Sequence, residues 1–369
     1  MLPRTVAEFR KLLYQQAKED KIPVSGQFEL TARCNLQCKM CYVCKPANDK
    51  IIMAQELTAE QWINLAKEAR DAGMLSILLT GGEVFIRPDF QRIYEELINM
   101  GLRLSIYSNA TLITPEIAKW LGRIPPTSMD ITLYGASPET YEKVTGHSSA
   151  FARALNGIDL LVSEGINIDL RTTVIKDNEA DLDGLVAIAE ARDLIMRYSF
   201  WISARRGNSS QLDESIRLTS YELAQYELRA DQAFKGSIEK IQQKLNIDLN
   251  KPMAVDDSNH STDAEPDSHP FKCNAGKCEC WITWDGRMIP CGIMEEPFTN
   301  PLMVGFNNAW RKLVSLCNTV PSCTECQQCS LLGNCYTCPA RLMNETGKFD
   351  APARYLCEWV GFRQKLSTL

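Results

Sequence analysis

Thr31-Ala32-Arg33-Cys34-Asn35-Leu36-Gln37-Cys38-Lys39-Met40-Cys41 carries three thiols separated by three and then two residues. That spacing lets one short loop curl around a single metal site, because thiolates are soft ligands that suit iron-sulfur clusters and zinc. Three protein ligands leave a fourth position open, whereas structural zinc sites are usually closed by four. The loop follows a strand-like run, Gln27 to Leu30, which favours a cluster whose odd iron binds something else; a zinc loop is the alternative. Cys44 is a further thiol with no assigned role.

Working outward, Val6 to Lys18 reads as one amphipathic helix that caps the domain, with Phe9, Leu12 and Leu13 at helical spacing. Downstream of the loop, Thr58 and Gln61 make a capping box for a helix with Trp62, Leu65, Ala66 and Ala69 on one face. Ser76 to Leu79 is a strand, and Asp89 is placed to cap the next helix. Strands follow at 103–107, 129–133, 166–175 and 197–202, with helix starts at Thr114-Pro115 and Ser137-Pro138 and a helix over 182–191. Strand and helix alternate six times. The expected fold class is therefore α/β, a partial (β/α)6 TIM-like barrel, with a doubly wound sheet as the alternative.

Polar groups sit at the strand ends, where functional loops belong in either architecture. Thr80-Gly81-Gly82-Glu83 follows the second strand; two glycines let backbone approach a ligand, and Glu83 offers an acceptor for an ammonium group. Ser108 and Asn109 follow the third strand, and Thr132 ends the fourth. Arg171 lies in an otherwise apolar strand and needs a partner if it points inward, Asp169 being one.

The alternation stops at Arg205. A helical stretch from Thr219 to about Leu245 leads into 256–269, rich in Asp, Ser, Asn and His, read as a flexible acidic loop. Eleven of the fifteen cysteines lie from Cys273 onward. Asp285-Gly286 between Trp281–Trp284 and Arg287–Pro290 suits a two-residue hairpin turn, which would pair Cys280 with Cys291 and put Cys278 on the same face as Cys280. Cys326, Cys329, Cys335 and Cys338 follow at close spacing, with Cys357 beyond; viewed alone, this segment fits zinc or clusters. The expected organisation is 1–25 a helical extension, 26–205 the barrel, 206–270 a helical linker with the acidic loop, and 271–369 a small cysteine-rich domain with a β-hairpin.

The three-cysteine loop resembles the signature of the radical S-adenosylmethionine (SAM) superfamily. The order Cys273, Gly286, Cys291, Cys326-x2-Cys329-x5-Cys335-x2-Cys338 and Cys357 resembles the SPASM domain, which carries two auxiliary 4Fe-4S clusters; the last spacer is two residues where the family has three. The resemblance implies SAM and three 4Fe-4S clusters. Cys34, Cys38 and Cys41 would hold the SAM-binding cluster, Cys273, Cys278, Cys291 and Cys338 the first auxiliary cluster, and Cys326, Cys329, Cys335 and Cys357 the second. Met40 would pack on the adenine, Gly81, Gly82 and Glu83 would bind the SAM amino group, Thr132 the ribose and Arg171 the carboxylate, with Ser108 and Asn109 as further contacts. The implied chemistry is reductive cleavage of SAM to a 5′-deoxyadenosyl radical, which abstracts hydrogen from a substrate.

Members of the SPASM group commonly modify peptides, so a peptide substrate is the first expectation. A small-molecule dehydrogenase or carbohydrate-modifying enzyme is second, and a non-enzymatic iron-sulfur or zinc interaction protein third. Sulfatase maturases place an acidic residue after the cysteine matching Cys291, and here Gly292 stands there. With 26 residues before the first strand, leader recognition would use a separate protein or the barrel surface. An external flavodoxin- or ferredoxin-like electron donor is implied. The net charge of −6 argues against general nucleic-acid binding. No apolar run reaches the roughly 18–20 residues that span a bilayer, and fifteen cysteines fit metal binding in a reducing cytoplasm.

Overall fold

Six parallel strands alternate with helices in the predicted order. The structure, a computed structural model, describes residues 5–43, 45–207, 212–244 and 269–367. The barrel elements are α1 (Val6–Asp20), β1 (Ser25–Thr31), α2 (Ala59–Asp71), β2 (Ser76–Gly81), α3 (Phe90–Asn99), β3 (Arg103–Ser108), α4 (Pro115–Arg123), β4 (Ser128–Thr132), α5 (Pro138–Thr145), α6 (Ala150–Ser163), β5 (Ile168–Thr173), α7 (Leu182–Glu190), β6 (Ile195–Ser199) and α8 (Ser220–Lys244). The C-terminal region adds β7 (Glu279–Ile282), β8 (Met288–Ile289), α9 (Phe306–Cys317), α10 (Pro339–Thr346) and α11 (Arg354–Ser367). Cys44 and most of the acidic stretch, 256–268, lie outside the described residues.

The sheet order is β8-β7-β1-β2-β3-β4-β5-β6. The six barrel strands are thus adjacent in chain order, without the reversal that defines a doubly wound sheet, and β6 does not close onto β1. The result is an open partial barrel. Leu104, Ile106, Met129, Ile131, Ile168 and Leu170 are buried in the main core. The residues between them point the other way, and they are polar: Ser105 and Ser128 share a 3.0 Å hydrogen bond, Arg171 meets Asp130 at 2.6 Å, and Arg197 meets Asp169 at 3.2 Å. A closed barrel packs this face with apolar layers. Here it is a polar concave wall.

Local signals set the helix starts. Thr58 and Gln61 form the capping box, and Thr114 and Ser137 cap helices with Pro in the first turn. Asp89 does not cap α3; its carboxylate takes the Arg87 guanidinium at 2.8 Å instead. Helix α1 is less embedded than its spacing suggests. Phe9 and Leu12 are exposed, and contact is made further along, where Ala17 packs with Val24 and Cys278.

Helix α8, expected in a linker, packs on the barrel. Tyr198 of β6 stacks on Phe234 at 5.2 Å and donates to Asp231 at 2.6 Å, so α8 supplies the sixth helix. Helix α11 lies on α8, with Trp359 Nε1 donating to Glu227 at 3.1 Å.

The hairpin joins the barrel sheet. Strand β7 runs parallel to β1, with Glu279 opposite Ser25 and Ile282 opposite Phe28. Its turn differs from the expected two-residue form. The Thr283 N–H donates to the Arg287 carbonyl at 2.9 Å, closing the three-residue loop Trp284-Asp285-Gly286 with Gly286 at φ +85°. Ile282 therefore faces Met288 and Trp281 faces Ile289. Continued, this register sets Pro290 opposite Cys280. The pairing of Cys280 with Cys291 is corrected by one residue, and a one-residue slip turns a side chain to the other face.

Candidate active site

The cysteine loop is held at both ends by backbone. Gln37 and Lys39 N–H groups donate to the Thr145 and Val144 carbonyls at 2.9 and 3.0 Å, using carbonyls that the last turn of α5 leaves unpaired. Before the loop, Arg33 makes a two-pronged ion pair with Glu56, both bonds 2.9 Å. Gly82 and Glu83 N–H groups donate to Thr31 and Arg33 carbonyls at 2.8 and 3.0 Å. A Cβ at Gly81 would stand 2.3 Å from the Thr31 oxygen, and one at Gly82 2.2 Å from that of Arg33. These glycines admit the loop's own backbone, a tighter requirement than the approach of a ligand.

Glu83 points inward and is fully buried. Its carboxylate accepts from the Ser108 hydroxyl at 3.0 Å and from the Asn109 and Phe85 N–H groups at 2.8 and 3.2 Å. Burial pushes its pKa up to about 7, against these hydrogen bonds. Glu83 thus braces the end of β3. Asn109, so placed, donates through its side-chain amide to Cys34 Sγ at 3.7 Å and to Asn35 Oδ1 at 3.1 Å.

Burial pushes the Cys34 thiol up to about 12, with Glu83 and Cys41 adding to it, and raises Cys38 well above the ordinary range, with Cys41 and Cys34 pushing the same way. The trio therefore shares one electrostatic site. Among the described residues no three His, Cys, Asp or Glu side chains converge on a single ion; a four-iron cluster asks less, since each thiolate takes a different iron. Two tyrosines that the sequence did not single out face the trio. Burial raises Tyr134, with Cys38 and Cys41 contributing. Tyr141 is fully buried, faces Cys38 and Cys34, and its hydroxyl has no hydrogen-bond partner. An orphan donor whose nearest charges include two of the three thiols fits a cluster whose sulfurs accept hydrogen bonds. Tyr134 follows strand β4, which was the available signal.

Met40 is buried in the wall of a cavity of about 330 Å³ that Lys39 and Cys41 share with Ile202, Ser203, Ala204, Arg205, Asp213 and Ile216. Thr132 hydrogen-bonds Tyr134 and lies beside Arg171 in the β4–β5 register. Arg171 lies 5.3 Å from the Tyr107 ring and is neutralised by Asp130 rather than by its strand neighbour Asp169.

The C-terminal cysteines form two further groups. Cys326, Cys329, Cys335 and Cys357 line one cavity of about 210 Å³, walled by Leu331, Leu332, Leu342, Leu356 and Val360. Cys273 and Cys338 both act on Cys291, whose thiol burial pushes up to about 12. Cys338, beside the shortened spacer, is thus grouped with Cys273 and Cys291. Cys278 packs with Ala17 and Val24, and Cys273 acts on it less than Glu279, Lys18 and Lys277 do. Cys280 is buried, and among the described residues Glu279 alone acts on it. Cys317 Sγ lies against Gly276, 2.4 Å from where a Cβ would be, and Cys323 Sγ accepts from the Cys326 N–H at 3.2 Å.

Arg206, unmarked by any motif, ties the regions together. It makes two 2.8 Å bonds to Glu29 of β1, lies 5.1 Å from the Tyr42 ring next to Cys41, and donates to the Gly292 carbonyl at 2.6 Å. Gly292 has no room for a side chain, since a Cβ would stand 2.8 Å from the Trp281 ring. Arg206→Met leaves the fully buried Glu29 carboxylate without its cation, with the Trp281 Nε1–H at 3.0 Å still donating to it, and is expected to cost about 3–5 kcal/mol, read as a lower urea midpoint under anaerobic conditions. A loss below about 1 kcal/mol would show that Glu29 is satisfied without it.

An open parallel barrel with a three-thiol loop after its first strand defines the radical SAM class. Residues 28–188 match the family profile described as the radical SAM superfamily. They form a radical SAM domain, and the chain is similar to radical SAM enzymes that include a peptide-maturation protein. An AdoMet-dependent heme synthase of Methanosarcina barkeri is 26% identical over 338 residues, 87% of this chain and 93% of the relative. The sporulation killing factor maturation protein SkfB of Bacillus subtilis is 24% identical over 277 residues, 75% of this chain and 62% of SkfB. Streptococcus suis SuiB, solved with its precursor peptide SuiA, shares the fold with a TM-score of 0.67 at 14% identity, covering 97% of this chain and 82% of SuiB. SAM and one 4Fe-4S cluster follow from the family.

Proposed function

We propose that the protein modifies a peptide by hydrogen abstraction, using three 4Fe-4S clusters. The observation that carries this reading is the sorting of the cysteines into three separate groups on one fold. Cys34, Cys38 and Cys41 would hold the SAM-binding cluster, Cys273, Cys278, Cys291 and Cys338 the first auxiliary cluster, and Cys326, Cys329, Cys335 and Cys357 the second. The bound cluster and SAM supply one-electron cleavage and a hydrogen-abstracting species. The chain's own residues do the rest. The α5 carbonyls and Glu83 with Asn109 fix the loop, Met40 and Thr132 offer contacts to SAM beside the trio, and the concave wall presents polar groups to a substrate backbone. The likeness to SkfB and SuiB supports a peptide.

The likeness to heme synthases over nearly their whole length favours a second reading, a tetrapyrrole or other small molecule. Against it, Arg171 and Arg197 on the concave wall are each already paired with an aspartate, which leaves those cations little to offer a substrate carboxylate. A peptide encoded beside the gene, co-expressed anaerobically, is expected to return with the mass of lost hydrogens. Conversion of a tetrapyrrole with that peptide untouched overturns the first reading.

Electrons would come from an external flavodoxin- or ferredoxin-like donor. A cytoplasmic location is supported by the free thiols of all the described cysteines; among the described residues no helix is long and apolar enough to cross a membrane. Anaerobically reconstituted protein is expected to hold about twelve irons per chain, as three four-iron clusters require. Iron near four with about two zinc atoms would overturn the auxiliary-cluster reading.

A further inference from the structure

Arg341 is bonded to the short segment that joins the two C-terminal thiol groups, since the Tyr336 carbonyl it donates to lies between Cys335 and Cys338 in the chain. It is the third residue of α10, whose N-cap is Cys338, so one helical turn brings its side chain back past that thiol. The guanidinium carbon lies 3.5 Å from the Trp201 ring centre and 5.8 Å from that of Tyr336, and Nη1 donates to the Tyr336 carbonyl. Among the described residues no carboxylate pairs with it; the groups acting on it, after burial, are Cys338, Cys291, Cys273 and Cys335. The influence is mutual, because Arg341 acts on Cys291 in one group and on Cys335 in the other.

A partly buried cation needs a negative partner. Neutral thiols do not supply one, whereas a cluster held by thiolates does, and the net charge around such a cluster is one of the levers that set its potential. We propose that Arg341 is the fixed counter-cation shared by the two auxiliary clusters, holding the first at a higher reduction potential than its thiolates alone would give. The positive charge stabilises the more negative, reduced state, so an electron arriving there is retained more readily. Stacking on Trp201, just beyond β6, fixes the position of that charge. This inference rests on the auxiliary-cluster reading above.

The test is a redox titration of the fully loaded protein followed by electron paramagnetic resonance, the first auxiliary signal being assigned by its loss in Cys291→Ala. In Arg341→Met, with iron content and circular dichroism as in the parent, the potential of that signal is expected to fall by about 59 mV or more, a tenfold change in a one-electron equilibrium. Arg341→Lys, which keeps the charge, is expected to recover most of the shift. Should Arg341→Met load iron poorly, Arg341→Gln keeps a donor for the Tyr336 carbonyl and serves as the neutral comparison. An unchanged potential in a folded, loaded neutral variant overturns the proposal. Absence of both C-terminal signals from the parent protein overturns instead the reading beneath it.

Discussion

Replacing Cys34, Cys38 and Cys41 together by Ala is expected to abolish release of 5′-deoxyadenosine and to remove about a third of the iron, one four-iron cluster of three. The loss should be specific, because the thiols are not what shapes the loop. Gln37 and Lys39 are tied to α5 through backbone, Arg33 is tied to Glu56, and Gly82 and Glu83 are tied to the strand before the loop. The C-terminal thiols lie in groups of their own and keep their surroundings. The parent protein, reduced and given SAM, should release 5′-deoxyadenosine slowly even without substrate. Chromatography of the nucleoside and an iron assay check both halves of the expectation. Release at the parent rate by the triple variant would place the chemistry elsewhere, and loss of all iron would mean that the groups do not load independently.

What could be seen in the sequence was what neighbours in the chain decide. The capping boxes and the proline starts at Thr114 and Ser137 are set within four residues, and the six strand-helix alternations are read from period alone. The placement of the cysteine loop followed from them. Contacts that join distant segments have no such signature. That β7 pairs with β1 is a matter of register between residues about 250 positions apart, and the hairpin slip turned on whether Gly286 closes a two- or a three-residue loop. Asp89 was placed correctly along the chain and assigned the wrong partner, and the partners Glu83 takes within the fold left no mark in the sequence, because which hydrogen bonds a carboxylate takes depends on what packing brings near it. Single charged residues were least legible. Arg206 and Arg341 sit in no periodic pattern, and their importance comes from the lack of water around them.

Removing one auxiliary ligand should separate the two halves of the reaction. Cys357 is the informative choice because it lies on α11, far along the chain from the loop that carries the SAM chemistry, yet lines the same cavity as Cys326, Cys329 and Cys335. The helix does not depend on it. Tyr355 donates to the Leu218 carbonyl at 3.0 Å, Trp359 to Glu227 at 3.1 Å, and Arg363 pairs with Glu227 at 3.2 Å. Alanine is also the best residue for a helix interior, so Cys357→Ala leaves α11 its packing and its propensity. On the proposed ligand set it removes one thiolate of four, which should lose or alter the second auxiliary cluster, with some local unfolding because metal binding and folding are linked. If that cluster acts on the substrate after hydrogen abstraction, 5′-deoxyadenosine release should persist while modified peptide disappears. Circular dichroism and iron content are measured first. Full turnover by a folded Cys357→Ala protein would show that either the ligand or the need for its cluster has been assigned wrongly, and loss of nucleoside release along with product would show that the two halves are not separable.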